Sequence, residues 1–341
     1  MTKDRIVPAI AIERTTIMDV AQRAGVSPAT VSRAINTPSL LSAKTLERVR
    51  AVMAETAYVP NMLAGGLASN RSRTIAFFVP SVGLGLFENS IRGVVEAMSR
   101  DGYQVLLGFG GRTDEEFNEA LVNALARRPD GIIAIGVTVQ ERTRARLLGA
   151  GVPVLQAWEL PDQPVDMVVG FSHEQVGRAL GRFLIEKGYR RPHLIWGQGR
   201  LPLATRYGLT LTLVEAGYPE PRHTNFDFPT SFLQGAAMLE DLFASPGEHP
   251  DCLICISDWA AHGAMVAAAR RGLRVPDDVA IIGFGDMDFA VGLWPSLTTV
   301  RIDGTEIAQR STSMMLQRLR GEMPPELIVD IGFSIVRRES A

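Results

Sequence analysis

The sequence predicts an all-α helix-turn-helix head followed by a larger two-lobed α/β body built on parallel sheets. Three observations carry this. TIMDVAQRAGVSPATVSRAIN, from Thr16, holds two short amphipathic patterns separated by a glycine. From Thr74 onward, short apolar runs alternate with amphipathic stretches. Charge is divided too: residues 1–73 hold ten Lys or Arg against five acids, a net of +5, which leaves −7 for the rest of a chain whose total is −2. A small basic head on a large acidic body suits a polyanion that touches the head alone.

Within the head, Thr16 can cap a first helix, with Asp19 at its third position as a capping-box variant. Ile17, Val20, Ala21 and Ala24 then share one face. Gly25 supplies the left-handed residue that ends this helix, and Ser27 with Pro28 is a cap followed by a first-turn proline. Val31, Ala34 and Ile35 turn the second helix toward the first, which leaves Ala29, Thr30, Ser32, Arg33 and Asn36 outside. Small residues beside one arginine suit a major groove: Arg33 can pair with a guanine for roughly 1–3 kcal/mol of discrimination. Thr30, Ser32 and Asn36 can reach phosphates or base edges. A third helix after Ser42, with Leu46, Val49, Val52 and Met53 inward, closes the core.

In the body, TIAFFVP, YQVLLGF, DGIIAIG, VPVLQAW and DMVVGF read as strands of one lobe, and HLIWG, HTNFDF, CLICIS and VAIIGF as strands of another. Such βαβ alternation gives parallel sheets covered on both faces, with ligands beyond the carboxyl ends of the strands. A chain of 341 residues exceeds one ordinary core, and 46% hydrophobic with 21% charged residues excludes a disordered chain. No apolar run is long enough for a membrane span or a secretory signal, so a cytoplasmic protein without membrane contact is expected. The two cysteines, Cys252 and Cys255, fall in an apolar strand whose alternation points them to opposite faces, which favours packing over redox chemistry.

The run TIMDVAQRAGVSPATVSRAIN, then Tyr58-Val59-Pro60-Asn61, then SRTIAFFVP from Ser72, resembles the lactose-repressor family of DNA-binding transcription regulators. VGFSHE from Val169, VPDDVAIIGF from Val275 and PSLTTVRID from Pro295 extend the resemblance through a body similar to periplasmic sugar-binding proteins. It implies a head over 15–59, a hinge over 60–73 that folds into a helix on DNA, and an effector-binding and dimerisation domain over 74–341. Lobe one would span about 74–172 and 303–332, and lobe two about 173–300 and 333–341. Residues 1–14 are expected to be a disordered leader.

By this resemblance the DNA contacts are Thr16, Ser27, Pro28, Ala29, Thr30, Ser32, Arg33, Asn36, Tyr58, Asn61, Ala64 and Leu67. Leu67 would be the wedge that opens a base step in the minor groove. Gly65-Gly66 just before it cost about 1 kcal/mol each against alanine in a helix, so the hinge is expected to order reluctantly. Partners would be a near-palindromic duplex and a second copy of the chain.

Strand ends and the family pattern together nominate Phe87, Trp158, Glu159, Arg206, Phe232, Ser257, Asp258, Gly285 and Asp286 as effector contacts, with Arg200 competing with Arg206. Sugar-binding relatives commonly place an aspartate two residues after the strand-end glycine, where this chain has Gly285. Losing that carboxylate lowers the cost of admitting an anion. GFGDMD from Gly283, VDMVVGF from Val165 and VDIGFS from Val329 resemble the gluconate-operon repressors of the family, which implies release from DNA by a sugar acid such as gluconate. A neutral sugar, a corepressor requirement, or a receptor without DNA function are the competing readings.

An enzyme is not indicated. Gly197-Gln198-Gly199 and GFGG from Gly108 lack the full G-x-G-x-x-G spacing, there is no G-x-S-x-G, and the five histidines show no metal spacing. Neither a cofactor nor a metal is expected.

Overall fold

The computed structural model describes residues 15–60, 71–80, 85–111, 113–136, 139–197, 200–226, 230–244 and 246–341, without the side chains of Arg200, Leu201 and Phe226. The expected leader 1–14 and the hinge residues Asn61, Ala64, Gly65, Gly66 and Leu67 lie outside the described residues. The chain divides into two units, Met1–Ser72 and Arg73–Ala341.

In the first unit, α1 (Ile17–Ala24) begins at Thr16, whose hydroxyl accepts from the Asp19 amide while the Asp19 carboxylate accepts from the Thr16 amide. Gly25 ends it at φ +61°. Ser27 caps α2 (Pro28–Asn36), with proline in the first turn, and Ser42 caps α3 (Ala43–Glu55). Val20, Ala21, Ala24, Val31, Ala34 and Val49 form the core, flanked by Leu46, Val52, Met53 and Tyr58. Each cap contributes about 1 kcal/mol, which matters for so small a core.

The second unit contains two six-stranded sheets. Sheet one holds β1 (Thr74–Val79), β2 (Gln104–Phe109), β3 (Gly131–Ile135), β4 (Val154–Ala157), β5 (Met167–Gly170) and β11 (Ile328–Asp330), in the order β11-β5-β4-β3-β1-β2. Sheet two holds β6 (Pro192–Gly197), β7 (Arg222–Phe226), β8 (Cys252–Cys255), β9 (Ala280–Phe284), β10 (Thr298–Arg301) and β12 (Ser334–Val336), in the order β12-β10-β9-β8-β6-β7. The flanking helices are α4 (Glu88–Arg100), α5 (Asp114–Leu125), α6 (Glu141–Gly149), α7 (His173–Lys187), α8 (Arg200–Glu215), α9 (Phe232–Ala244), α10 (Asp258–Arg270) and α11 (Gly304–Leu319). The chain passes from sheet one to sheet two after β5, returns through α11, and passes again between β11 and β12.

All nine segments read as strands from their apolar runs are strands. The three strands outside those segments, β10, β11 and β12, are three or four residues long and hold at most two consecutive apolar residues. β12 pairs antiparallel with β10, so the second sheet is parallel only up to its edge. Burial on both faces explains the continuous apolar runs: along β1, Ile75, Phe77 and Val79 enter one core cluster while Ala76 and Phe78 enter another. Cys252 and Cys255 likewise fall in separate clusters, each fully buried, and burial pushes both thiols up. Buried neutral thiols are poor nucleophiles.

Glycines lock the helices of lobe two in pairs. A Cβ on Gly177 of α7 would lie 1.9 Å from the Thr205 carbonyl oxygen, and one on Gly208 of α8 would lie 2.1 Å from that of Glu174. Neither backbone can recede, so α7 and α8 form one rigid element.

Candidate functional site

The head offers one outward face. Along α2, Ala29, Arg33 and Asn36 are exposed, and Pro28, Thr30 and Ser32 are half-buried. The Asn36 amide donates to the Ser32 hydroxyl at 3.3 Å, and the Ser27 and Thr30 hydroxyls lie 3.0 Å apart. Thr16 and Ser27 also serve as caps, so each has a structural duty beside any contact with a ligand. The amide and then the hydroxyl of Thr16 hold the Asp19 carboxyl below the usual carboxylate range. Tyr58 is half-buried against the core of the head.

In the body, every sequence-nominated effector residue follows the carboxyl end of a strand. Phe87 follows β1, Trp158 and Glu159 follow β4, Arg206 lies on the helix after β6, Phe232 opens the helix after β7, Ser257 and Asp258 follow β8, and Gly285 and Asp286 follow β9. Such convergence results from parallel strand order and right-handed crossovers.

Three groups can be distinguished at this end. In lobe one, Phe87, Trp158 and Phe171 form an edge-on aromatic chain, with Trp158 centroids 4.8 Å from Phe87 and 6.0 Å from Phe171. Trp158 adopts φ +71°, a left-handed conformation that bulky residues rarely take. Its indole N–H donates to Ser90 Oγ at 3.0 Å, which locks the ring. Glu159 beside it is buried, its backbone against Gly170.

The second group, in lobe two, holds two carboxyls, Asp258 and Asp286, in different surroundings. Asp258 accepts from Thr299 Oγ1 at 2.6 Å and from the Met287 amide at 2.7 Å. Burial pushes its carboxyl up to about 6, against the lowering effect of those two bonds. Asp286 pairs with Arg301 and with Arg338. Ser257 caps α10 and lies 2.8 Å from the Thr230 hydroxyl. The third group is Phe232, edge-on to His262 at 5.0 Å, with Phe289 and Trp259 beyond.

The lobes meet where the short helical turn Gly85–Phe87 faces the loop after β9. A Cβ on Gly285 would lie 3.2 Å from Leu86 Cδ1, and one on Gly85 would overlap the Met287 methyl. Arg206 is half-buried, and the side chain of Arg200 lies outside the described residues. A separate cavity of about 380 Å³, lined by Arg190, His193, Arg222 and Pro250 among others, opens at the amino ends of the sheet-two strands, away from these groups. Among the described residues no cluster of three or more metal-ligating side chains occurs, and no helix is long and apolar enough to cross a membrane.

Sequence reasoning missed Ser90, Met287, Thr299 and Arg338. Each is joined to the site by a contact between residues far apart in the chain, which no local spacing signals.

Comparison with known proteins completes the description. Residues 16–61 match the model for bacterial regulatory proteins of the lacI family, and residues 182–341 match that for a periplasmic binding protein-like domain. The chain is 30% identical over 329 residues to the HTH-type transcriptional regulator GntR of Pseudomonas aeruginosa, covering 96% of both chains. It superposes on a LacI-family transcriptional regulator from Silicibacter pomeroyi with a TM-score of 0.88 at 28% identity, covering 96% of this chain and 99% of that one. It also superposes on the lac repressor dimer bound to operator and the anti-inducer ONPF, with a TM-score of 0.81 at 28% identity over 96% and 99% of the chains.

Proposed function

The chain belongs to the LacI family of DNA-binding transcriptional regulators, and from that premise we propose that it is a repressor released from a near-palindromic operator by a sugar acid such as gluconate. Its relatives are regulators rather than enzymes. The observation that carries the proposal is the pairing of an exposed, arginine-bearing α2 with a body whose strand ends converge between two lobes.

In the DNA-bound dimer, α2 of each copy enters a major-groove half-site, with Arg33 on a guanine edge. Ala29, Thr30, Ser32 and Asn36 flank it, Thr16, Ser27 and Tyr58 reach backbone phosphates, and Asn61, Ala64 and Leu67 serve the hinge. Such a regulator works in the cytoplasm.

The electrostatics of the body support an anionic effector. Asp286 is offset by two guanidinium groups, and Gly285 brings no carboxylate. Repulsion of an incoming carboxylate by lobe two is thereby reduced, and Arg206 or Arg200 can bind it through paired hydrogen bonds. Phe87 and Trp158 supply an apolar wall, and Glu159, Phe232 and Ser257 complete the contacts. The gluconate-repressor resemblance of GFGDMD, VDMVVGF and VDIGFS points the same way.

Calorimetric titration of the full chain with gluconate, glucose and ribose tests this. Gluconate should bind at least tenfold more tightly than either neutral sugar and should release a selected palindrome in a gel shift. Preference for a neutral sugar, or ligand-strengthened DNA binding, would overturn it.

A further inference from the structure

His173 opens α7, immediately after the chain first crosses from sheet one to sheet two. Its Nε2 lies 3.0 Å from the carbonyl oxygen of Trp158, in lobe one, and its Nδ1 lies 3.2 Å from the hydroxyl of Thr205 on α8, in lobe two. One ring therefore spans the two lobes. A carbonyl can only accept, so Nε2 must carry the proton. Burial holds the imidazole pKa down to about 4, so the ring is neutral near pH 7 and Nδ1 is a bare acceptor for the Thr205 hydroxyl.

Both ends of this bridge are rigid. Thr205 belongs to the α7–α8 pair fixed by the backbone approaches at Gly177 and Gly208. The Trp158 carbonyl belongs to a residue held at φ +71°, locked by Ser90, and followed by Glu159, whose backbone lies against Gly170. The ring of Phe171 stands 4.5 Å from the imidazole and so restricts its rotation.

We infer that His173 is a positioning residue that sets the angle between the lobes, because its neutral ring ties the effector-side residue Trp158 to α8, the helix that carries Arg206. A shift of the Trp158 backbone then moves Thr205, and a movement of α8 is resisted by Trp158. The angle-setting part needs no ligand; the link to operator release rests on the effector reading above.

The test uses the full chain with spin labels at Leu148→Cys and Leu233→Cys, exposed positions on α6 and α9; both native cysteines are buried. Electron–electron double resonance reads the interlobe distance in the parent and in His173→Phe, Thr205→Val, Thr205→Ser and the His173→Phe/Thr205→Val double variant. Thr205→Ser keeps the hydroxyl and should match the parent. Thr205→Val and His173→Phe should each broaden or shift the distribution, and Thr205→Val should add nothing in the His173→Phe background.

Loss of one such hydrogen bond should also reduce the ratio of operator affinities without and with gluconate by roughly two- to tenfold. Unchanged distances in both His173→Phe and Thr205→Val overturn the inference, whatever happens to melting temperature. If gluconate leaves the parent on DNA while those variants still broaden, the assigned effector is wrong and the bridge stands.

Discussion

The indole of Trp158 donates to the hydroxyl of Ser90, which in turn donates to the carbonyl of Gly304 at 2.8 Å, so one relay joins the end of β4, helix α4 and the start of α11. Trp158→Phe keeps an aromatic ring beside Phe87 but removes the donor. It should lower stability by about 1 kcal/mol, read as a fall in thermal midpoint, and should weaken gluconate binding in calorimetry. Unchanged values for both would show that the relay has no energetic weight.

Arg33 is exposed on α2 and is the one arginine of that helix. Arg33→Ala should cost roughly 1–3 kcal/mol on a selected operator and far less on random duplex, measured by gel shift at fixed salt. An equal loss on both sequences would make Arg33 a phosphate contact instead.

Asp258 gives a pH signature. Its carboxyl is raised to about 6 from an ordinary 3.8, chiefly by burial, so the fold favours the protonated form. Its contribution is fully present below pH 4 and is lost as pH rises through 6. Between those limits the parent should lose on the order of 2–3 kcal/mol relative to Asp258→Asn, which cannot ionise. Parallel stability curves for the two proteins from pH 4 to 7 would rule this out.

Gly208 and Gly149 make a matched pair. A Cβ at Gly208 meets the Glu174 carbonyl oxygen, whereas one at Gly149 meets nothing within 4 Å. Gly208→Ala should destabilise the body by about 3 kcal/mol or more through forced separation of two backbones. Gly149→Ala, at a helix end with open space, should be neutral or stabilising by up to about 1 kcal/mol. Chemical denaturation of both variants reads the difference, and similar midpoints would refute the close-packing argument.

Much of this architecture was legible in the chain because its determinants are local. Thr16, Asp19, Gly25, Ser27, Pro28 and Ser42 set the ends of three helices through contacts within a turn, and the apolar runs identified nine strands directly. Alternating charge and apolar pattern needed no partner to be read. The short edge strands β11 and β12 were not legible, since three residues such as Ile328-Val329-Asp330 turn only one side chain, the half-buried Val329, toward the core.

The sequence by itself determined the head, the parallel two-lobed body and the strand ends at which candidate side chains emerge. Only the tertiary structure decided what those side chains do there: Asp286 is committed to Arg338 across 52 residues, Trp158 to Ser90 across 68, and Ser90 to Gly304 across 214. Caps and periodicity are fixed by neighbours one turn away, whereas the charge state of a carboxylate or imidazole is fixed by whatever the folded chain packs against it.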